Sequence, residues 1–281
     1  MEVIKNKLIE GKHCKPIVTD VMYAKNNVKK PVVIFCHGYK GYKDWGAFDK
    51  MASSFVDENI FLTKFNFSHN GGLPSNPIDF PDLEAFGQNN FVKELDDLET
   101  VIDWLLNNIE FSDEINSENI TLIGHSRGGG IVTLKASEDN RVSRLVTWAA
   151  VSDYASRFPE GEALEYWKKQ GVAYIENART KQQMPHYIQF YENFVENKER
   201  LNIKSAANRI SIPHLIIHGT EDPTVNVEEA KNIHKWSKNS ELFLIENADH
   251  GFGSKQPWKE ELLPKDFQLV VNKTIEFIKN N

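Results

Sequence analysis

The sequence predicts an α/β fold: a mostly parallel sheet with helices on both faces, interrupted by one insertion. Three observations carry this. Short apolar runs alternate with amphipathic helical stretches along most of the chain. One of those runs, Pro31 to Cys36, is apolar on both faces, the pattern of a strand buried in a parallel sheet. One interval, about 153–208, breaks the rhythm and offers no convincing strand.

The elements follow in order. Two short β-like stretches open the chain, near 2–10 and 16–24. Pro31 to Cys36 is a continuous apolar run that ends in His37-Gly38. Phe48, Met51, Ala52 and Phe55 then recur at helical spacing. Ile60 to Phe67 reads as a strand, and Ser68 to Asn90, rich in Gly, Pro, Asn and Asp, as a long loop. Val92, Leu95, Leu98, Ile102, Leu105 and Leu106 form the next helical stripe. Strands are expected at Ile120 to Ile123, Leu145 to Val151, Leu215 to Ile217 and Leu242 to Ile245, and a closing helix from Lys265 to Lys279. Inside the interval, Tyr187, Phe190, Tyr191, Phe194 and Val195 place an aromatic face on a helix. That face either packs on the main domain or lines a pocket, and a cap does both. The expected division is a core of 1–152 and 209–281 with a cap (lid) insertion at 153–208.

Composition narrows the function. Hydrophobic residues make up 40% and charged residues 26% of 281, which is ordinary for a globular chain able to bury a large core. The formal net charge of -7, with no long basic run, disfavours nucleic acid as a partner. No run of 18 apolar residues exists, so no membrane span is expected. The first residues carry no signal-peptide pattern, and the two cysteines, Cys14 and Cys36, suggest no disulfide framework. The expectation is a cytoplasmic protein.

The strongest motif is Gly124-His125-Ser126-Arg127-Gly128, a G-x-S-x-G with a strand before it and a Gly-rich helix start after it. A sharp strand-to-helix turn of this kind projects a serine hydroxyl above the sheet, and small residues on either side let neighbouring segments approach. Ser126 is therefore the candidate nucleophile. A serine hydroxyl attacks only when a base takes its proton. Of nine histidines, His250 in Ala248-Asp249-His250-Gly251 lies in the loop after the last strand, where ligand crevices form. His69, in a loop, also approaches the expected pocket. The acid should lie between serine and histidine in the chain. Asp222 fits, directly after the Leu215 to Ile217 strand, in His218-Gly219-Thr220-Glu221-Asp222. Glu221, Asp249 and Asp153 are the rival carboxylates. Acyl transfer also needs backbone N–H donors for the oxyanion. Tyr39, after His37-Gly38, and Arg127, after the serine, are the candidates. The Arg127 side chain reads equally as a site for an anionic substrate and as a solvent-facing residue.

These motifs, with Phe-Asn-Phe-Ser-His-Asn-Gly at 65–71, resemble the α/β-hydrolase superfamily, and within it the bacterial cinnamoyl (feruloyl) esterase and serine aminopeptidase-like group. The resemblance runs from about residue 30 to the C-terminus. It implies an α/β-hydrolase fold, with a mostly parallel eight-stranded sheet and a cap inserted after the sixth strand. The insertion reads as a helical, charged cap, where the cinnamoyl esterases carry a small insertion with strands. Dienelactone hydrolases use a cysteine at the elbow, so Ser126 argues against their chemistry.

The implied function is a serine hydrolase that cleaves small carboxylic esters through an acyl-enzyme intermediate, with a small-molecule ester as its partner and no cofactor. A peptidase or amidase is the alternative, with Glu160, Glu162 and Glu165 as candidates to bind an α-amine. A thioesterase would use the same triad. A non-enzymatic binding protein is disfavoured because all three triad members are present. No metal site is expected, since neither H-E-x-x-H nor clustered ligand spacing occurs.

Overall fold

The computed structural model describes residues 1–280. Its elements, in chain order, are β1 (Glu2–Ile9), β2 (Ile17–Tyr23), β3 (Lys30–Cys36), α1 (Phe48–Asp57), β4 (Phe61–Asn66), α2 (Leu83–Gly87), α3 (Phe91–Asn107), β5 (Ile115–His125), α4 (Arg127–Glu138) and β6 (Val142–Trp148). Then come α5 (Gly161–Gln170), β7 (Val172–Glu176), β8 (Gln183–Tyr187), α6 (Gln189–Glu196), α7 (Ile203–Arg209), β9 (His214–Gly219), α8 (Val227–Trp236), β10 (Ser240–Ile245) and α9 (Lys265–Asn280).

Eight strands form one sheet in the order β1-β2-β4-β3-β5-β6-β9-β10. Only the pairings of β1 with β2 and β2 with β4 are antiparallel; the rest are parallel. The register aligns Cys36 with Gly124, His125 with Trp148, and Trp148 with Ile217. The C-terminal ends of β3, β5, β6 and β9 therefore finish side by side. In a sheet of this kind, the loops leaving that edge form the ligand crevice.

Two apolar layers hold the sheet. On one face, Leu95, Leu98, Val101 and Ile102 of α3 and Ile131 and Leu134 of α4 are buried in one cluster with Ile34 and Leu122. On the other, Met51 and Phe55 of α1 and Phe267, Val270 and Val271 of α9 cluster with Phe35 and Trp148. Trp148 Nε1 also donates to Thr274 Oγ1 at 3.1 Å, which pins α9 to the sheet. Side-chain caps start several helices. Asn90 accepts from Lys93 N–H at 2.9 Å, and Asn202 from Ser205 N–H at 2.8 Å. Among the described residues, no helix is long and apolar enough to cross a membrane.

A charged knot joins β1, β2, β4 and the loop after β3. Lys43 and Lys64 are fully buried, and Asp20 lies 2.9 Å from Lys43 and 3.1 Å from Lys64. Lys5 reaches Asp20 at 2.9 Å and Asp49 at 2.7 Å. Burial pushes the Asp20 carboxyl up, but Lys64 and Lys43 outweigh it and hold the group below the usual carboxylate range. Asp20, Asp44 and Asp49 are close enough together to hold a metal ion, but these ammonium groups already balance them. Asp20→Ala would leave two buried cations short of a partner. It should lower the unfolding free energy by about 3–5 kcal/mol, read from urea unfolding at pH 7. A loss below about 1 kcal/mol would place the knot among pairs of no net worth.

Three departures from the sequence expectation concern connections. The 68–90 loop contains α2, whose first turn Asp82 caps by accepting from Ala85 N–H. The 153–208 interval is not purely helical: β7 and β8 pair as an antiparallel hairpin, so the expectation of no strand there is corrected. Both strands are only five residues long; β7 buries none of its residues, whereas β8 buries Met184 and Pro185, a proline within the strand. Strands this short carry too few residues to show apolar alternation, and a two-stranded ribbon tolerates proline because every strand is an edge. The aromatic helix begins only at Gln189, so Tyr187 belongs to β8 and the helix presents Phe190, Tyr191 and Phe194.

Candidate active site

Ser126 stands between the last residue of β5 and the first of α4, with φ 57° and ψ -122°. This is the left-handed region that residues with a Cβ rarely adopt. The turn is held by Ser126 N–H donating to Trp148 C=O at 2.9 Å and by Gly129 N–H donating to Ser126 C=O at 3.0 Å. It is also crowded. A Cβ at Gly124 would lie 2.3 Å from Gly128 O, and one at Gly128 would lie 2.5 Å from His37 O. The glycines two before and two after the serine are thus a steric requirement of the turn.

His250 comes from the loop between β10 and α9, and Asp222 from the loop after β9. The His250 ring bridges them, with Nε2 3.0 Å from Ser126 Oγ and Nδ1 2.7 Å from Asp222 Oδ2. Since a carboxylate only accepts, Nδ1 carries the proton and Nε2 is free to accept from the serine hydroxyl. Asp222 is fully buried yet well partnered. Its Oδ1 accepts from the N–H groups of Thr224 at 2.8 Å and Val225 at 2.9 Å. His218 Nε2 approaches Oδ2 at 3.3 Å while facing Val225 C=O at 2.8 Å. Burial raises the Asp222 carboxyl pKa, but hydrogen bonds from His218, His250 and Val225 N–H overcome this and hold it well below the usual carboxylate range.

Two further histidines, both inside sequence motifs, brace this arrangement. His125 Nε2 lies 2.9 Å from the His250 carbonyl and donates to it, and the two rings are 4.8 Å apart. His37 Nδ1 donates to Gly38 C=O at 2.9 Å, while its Nε2 accepts from Phe67 N–H at 3.3 Å. The His37 ring, donating at one nitrogen and accepting at the other, is therefore neutral. Burial, the main cause, pushes His37 down to about 4 and His125 to about 3, and it does the same to His214 in the core, to about 3. The signal for His37 and His125 was their place inside motifs; their partners come from distant parts of the chain.

These imidazoles titrate near about 6.5 in the unfolded chain and lower in the folded one. The unfolded state then binds more protons as pH falls. Stability should be full above pH ~6.5 and decline between there and pH ~4 by several kcal/mol in all. The urea midpoint at pH 7.5 against pH 5.0 measures it; equal midpoints would mean these rings are not buried neutral.

The two candidate oxyanion donors sit beside the serine. Gly38 runs so close to it that a Cβ there would be 2.8 Å from Ser126 Cβ. Gly41 N–H donates to Gly38 C=O at 3.1 Å and closes the loop. Among the described residues, neither Tyr39 N–H nor Arg127 N–H has a hydrogen-bond partner. For Arg127 this follows from its place as the first helical residue. The Arg127 side chain is not solvent-facing. Glu94 holds it at 2.9 Å and 3.2 Å, and its guanidinium lies 4.6 Å from the Phe91 ring and 5.0 Å from Phe190.

A cavity of about 680 Å³ meets Ser126. Core residues Tyr39, Phe91 and Val225 line one part of it, and Phe158, Trp167 and Phe190 of the 153–208 segment line another. Its only charged lining residues among those described are Arg127 and Arg157; no carboxylate faces it. The rival residues lie elsewhere. His69 pairs with Ser68 Oγ at 2.8 Å, away from the cavity lining. Asp249 accepts the N–H groups of Gly251 and Gly253 within its own loop, and Asp153 those of Ala155 and Ser156. Glu221 is exposed, as are Glu160, Glu162 and Glu165.

A family model described as BD-FAE matches residues 19–237. Among curated proteins, the chain is similar to monoacylglycerol lipase ABHD6 of Mus musculus, with 24% identity over 280 residues, 87% of this chain and 77% of that protein. Among solved structures, it is similar to Est1E from Butyrivibrio proteoclasticus with ferulic acid bound, at a TM-score of 0.71 and 18% identity over 97% of this chain and 98% of that one. A putative hydrolase from Agrobacterium vitis gives a TM-score of 0.75 and 17% identity over 99% and 100% of the two chains. At this identity the structural likeness shows the fold, which is the α/β-hydrolase fold.

Proposed function

The chain belongs to the BD-FAE family and carries the α/β-hydrolase fold, and on that premise we propose that it is a serine carboxylesterase whose triad is Ser126, His250 and Asp222. The observation that carries this reading is the His250 ring, spanning Ser126 Oγ and Asp222 at the edge of a large apolar cavity.

The chemistry runs in two halves. His250 Nε2 takes the Ser126 proton as Oγ attacks the ester carbonyl. The carbonyl oxygen becomes an anion, and the N–H groups of Tyr39 and Arg127 stabilise it. His250 then returns the proton to the departing alcohol, leaving an acyl-enzyme. Water, activated by the same imidazole, attacks next and releases the acid. Asp222 holds Nδ1–H throughout and stabilises the imidazolium.

The 153–208 segment serves in this reading as a cap. It supplies Phe158, Trp167, Ile175 and Phe190 to the cavity wall, so it contributes to substrate selection. Aromatic walls favour an ester with an apolar or aromatic group. Est1E, with ferulic acid bound, is similar in fold, and the insertion here also carries strands, which supports aromatic esters as candidate substrates. An aminopeptidase needs a carboxylate for the substrate amine. No carboxylate lines the cavity among the described residues, and Glu160, Glu162 and Glu165 face solvent. That favours the ester over the amide.

A p-nitrophenyl ester series from acetate to laurate, with methyl ferulate, an acyl thioester and an aminoacyl-nitroanilide beside it, tests the proposal. Ester turnover well above thioester and amide turnover is expected. Preference for the nitroanilide would move the protein to the peptidases.

A further inference from the structure

Both candidate oxyanion donors are tied to the insertion through their own side chains. Tyr39 Oη lies 2.8 Å from His186 Nε2 in β8. His186 Nδ1 lies 3.2 Å from Met184 C=O and must donate there, which leaves Nε2 as an acceptor for the Tyr39 hydroxyl. The hairpin end that carries His186 is itself fixed: Trp167 Nε1 of α5 donates to His186 C=O at 2.7 Å. The Phe86 ring touches both partners, 6.0 Å from Tyr39 and 5.4 Å from His186. The second donor residue, Arg127, has its guanidinium between Phe91 of the core and Phe190 of α6, with the Tyr39 ring 5.7 Å away. Tyr154 of the segment after β6 adds a hydrogen bond to Arg127 C=O at 2.8 Å.

We propose that His186 is a positioning residue for the oxyanion hole: by accepting a hydrogen bond from the Tyr39 hydroxyl it holds the loop that carries the Tyr39 N–H, so the insertion sets the geometry of the reacting centre as well as walling the cavity. The inference rests on the esterase reading above. Its physical basis is that an oxyanion donor works only within tenths of an ångström of its target, in a site that does not reorganise. A tyrosine tethered at its hydroxyl has fewer positions than one anchored only at the backbone. The same tether makes the seating of the hairpin a condition for fast acylation.

The test compares Tyr39→Phe, His186→Phe, the double variant and His186→Gln, the last of which keeps an acceptor oxygen. Steady-state kinetics on a p-nitrophenyl ester are combined with affinities for a trifluoromethyl ketone, which forms an oxyanion, and for the product acid, which does not. Tyr39→Phe and His186→Phe should each lower kcat about five- to tenfold with KM within about twofold, a scale set by loss of one hydrogen bond near an oxyanion donor. Ketone affinity should fall by the same factor while product affinity stays. The double variant should be no worse than either single one, and His186→Gln should recover most of the loss. Raised KM at unchanged kcat would make His186 a wall of the cavity and overturn the proposal. Additive losses would overturn it too, as would equal losses of ketone and product affinity. Ser126→Ala run alongside separates the two levels. If it loses turnover while the His186 variants keep kcat, only the positioning role fails. If it keeps turnover, the triad reading fails and takes this one with it.

Discussion

Ser126→Ala is expected to lower kcat/KM on p-nitrophenyl esters by a factor on the order of 10⁴–10⁶. The substitution removes Oγ, the one atom positioned to attack from the elbow, and leaves the His250–Asp222 pair intact. It should not unfold the protein. The backbone at φ 57° is held by hydrogen bonds to Trp148 and Gly129 that alanine keeps. Alanine also carries a Cβ, as serine does, so the local strain is unchanged. Thermal unfolding within a few degrees of wild type, together with collapsed turnover, is the expected pair of results. Retention of a tenth or more of the activity would mean that Ser126 is not the nucleophile.

Asp222→Asn should cost about 10⁴-fold in kcat, and the reason lies in how Asp222 is partnered. Its Oδ1 accepts two backbone N–H groups, from Thr224 and Val225. An asparagine keeps its carbonyl oxygen on those donors, which turns its NH₂ group toward His250 and His218. His250 Nδ1 must then accept, so the ring proton moves to Nε2. An imidazole protonated at Nε2 cannot take the Ser126 proton. KM should change little, since Asp222 is buried behind the ring and does not line the cavity. A loss below about tenfold would show that His250 keeps its tautomer without the carboxylate, against the role assigned to Asp222.

The parts of the fold legible in the sequence are those fixed by local chemistry. Val32 to Cys36 and Ile120 to Ile123 are apolar on both faces because the sheet buries both, and that pattern survives in one dimension. The elbow is legible because its five-residue pattern is contiguous in the chain; Gly124 is dictated locally, by Gly128, although Gly128 itself is dictated by the distant His37. Asp222 and His250 are legible because each follows a recognisable strand. The hairpin β7–β8 was not, since its strands are only five residues long, β7 buries none of its residues, and β8 buries just the adjacent Met184 and Pro185, which gives no alternation. Helix α8 buries only Ala230 and Ile233, too few to form a stripe. His186 escaped for a different reason: its partner Tyr39 is 147 residues away, and no local pattern marks the pair. The Arg127 side chain was left open between solvent and substrate. The structure places it in neither role alone, clamped by Glu94 and stacked among aromatic rings.

The central claim is that Ser126 is acylated during turnover. Its most direct measurement is intact mass and peptide mapping after treatment with a fluorophosphonate, on wild type and on Ser126→Ala. The account predicts one adduct per chain on the peptide that contains Ser126, loss of ester turnover in step with labelling, and no adduct on the variant. An adduct on another residue, or full turnover in a protein that carries the label on Ser126, would contradict it.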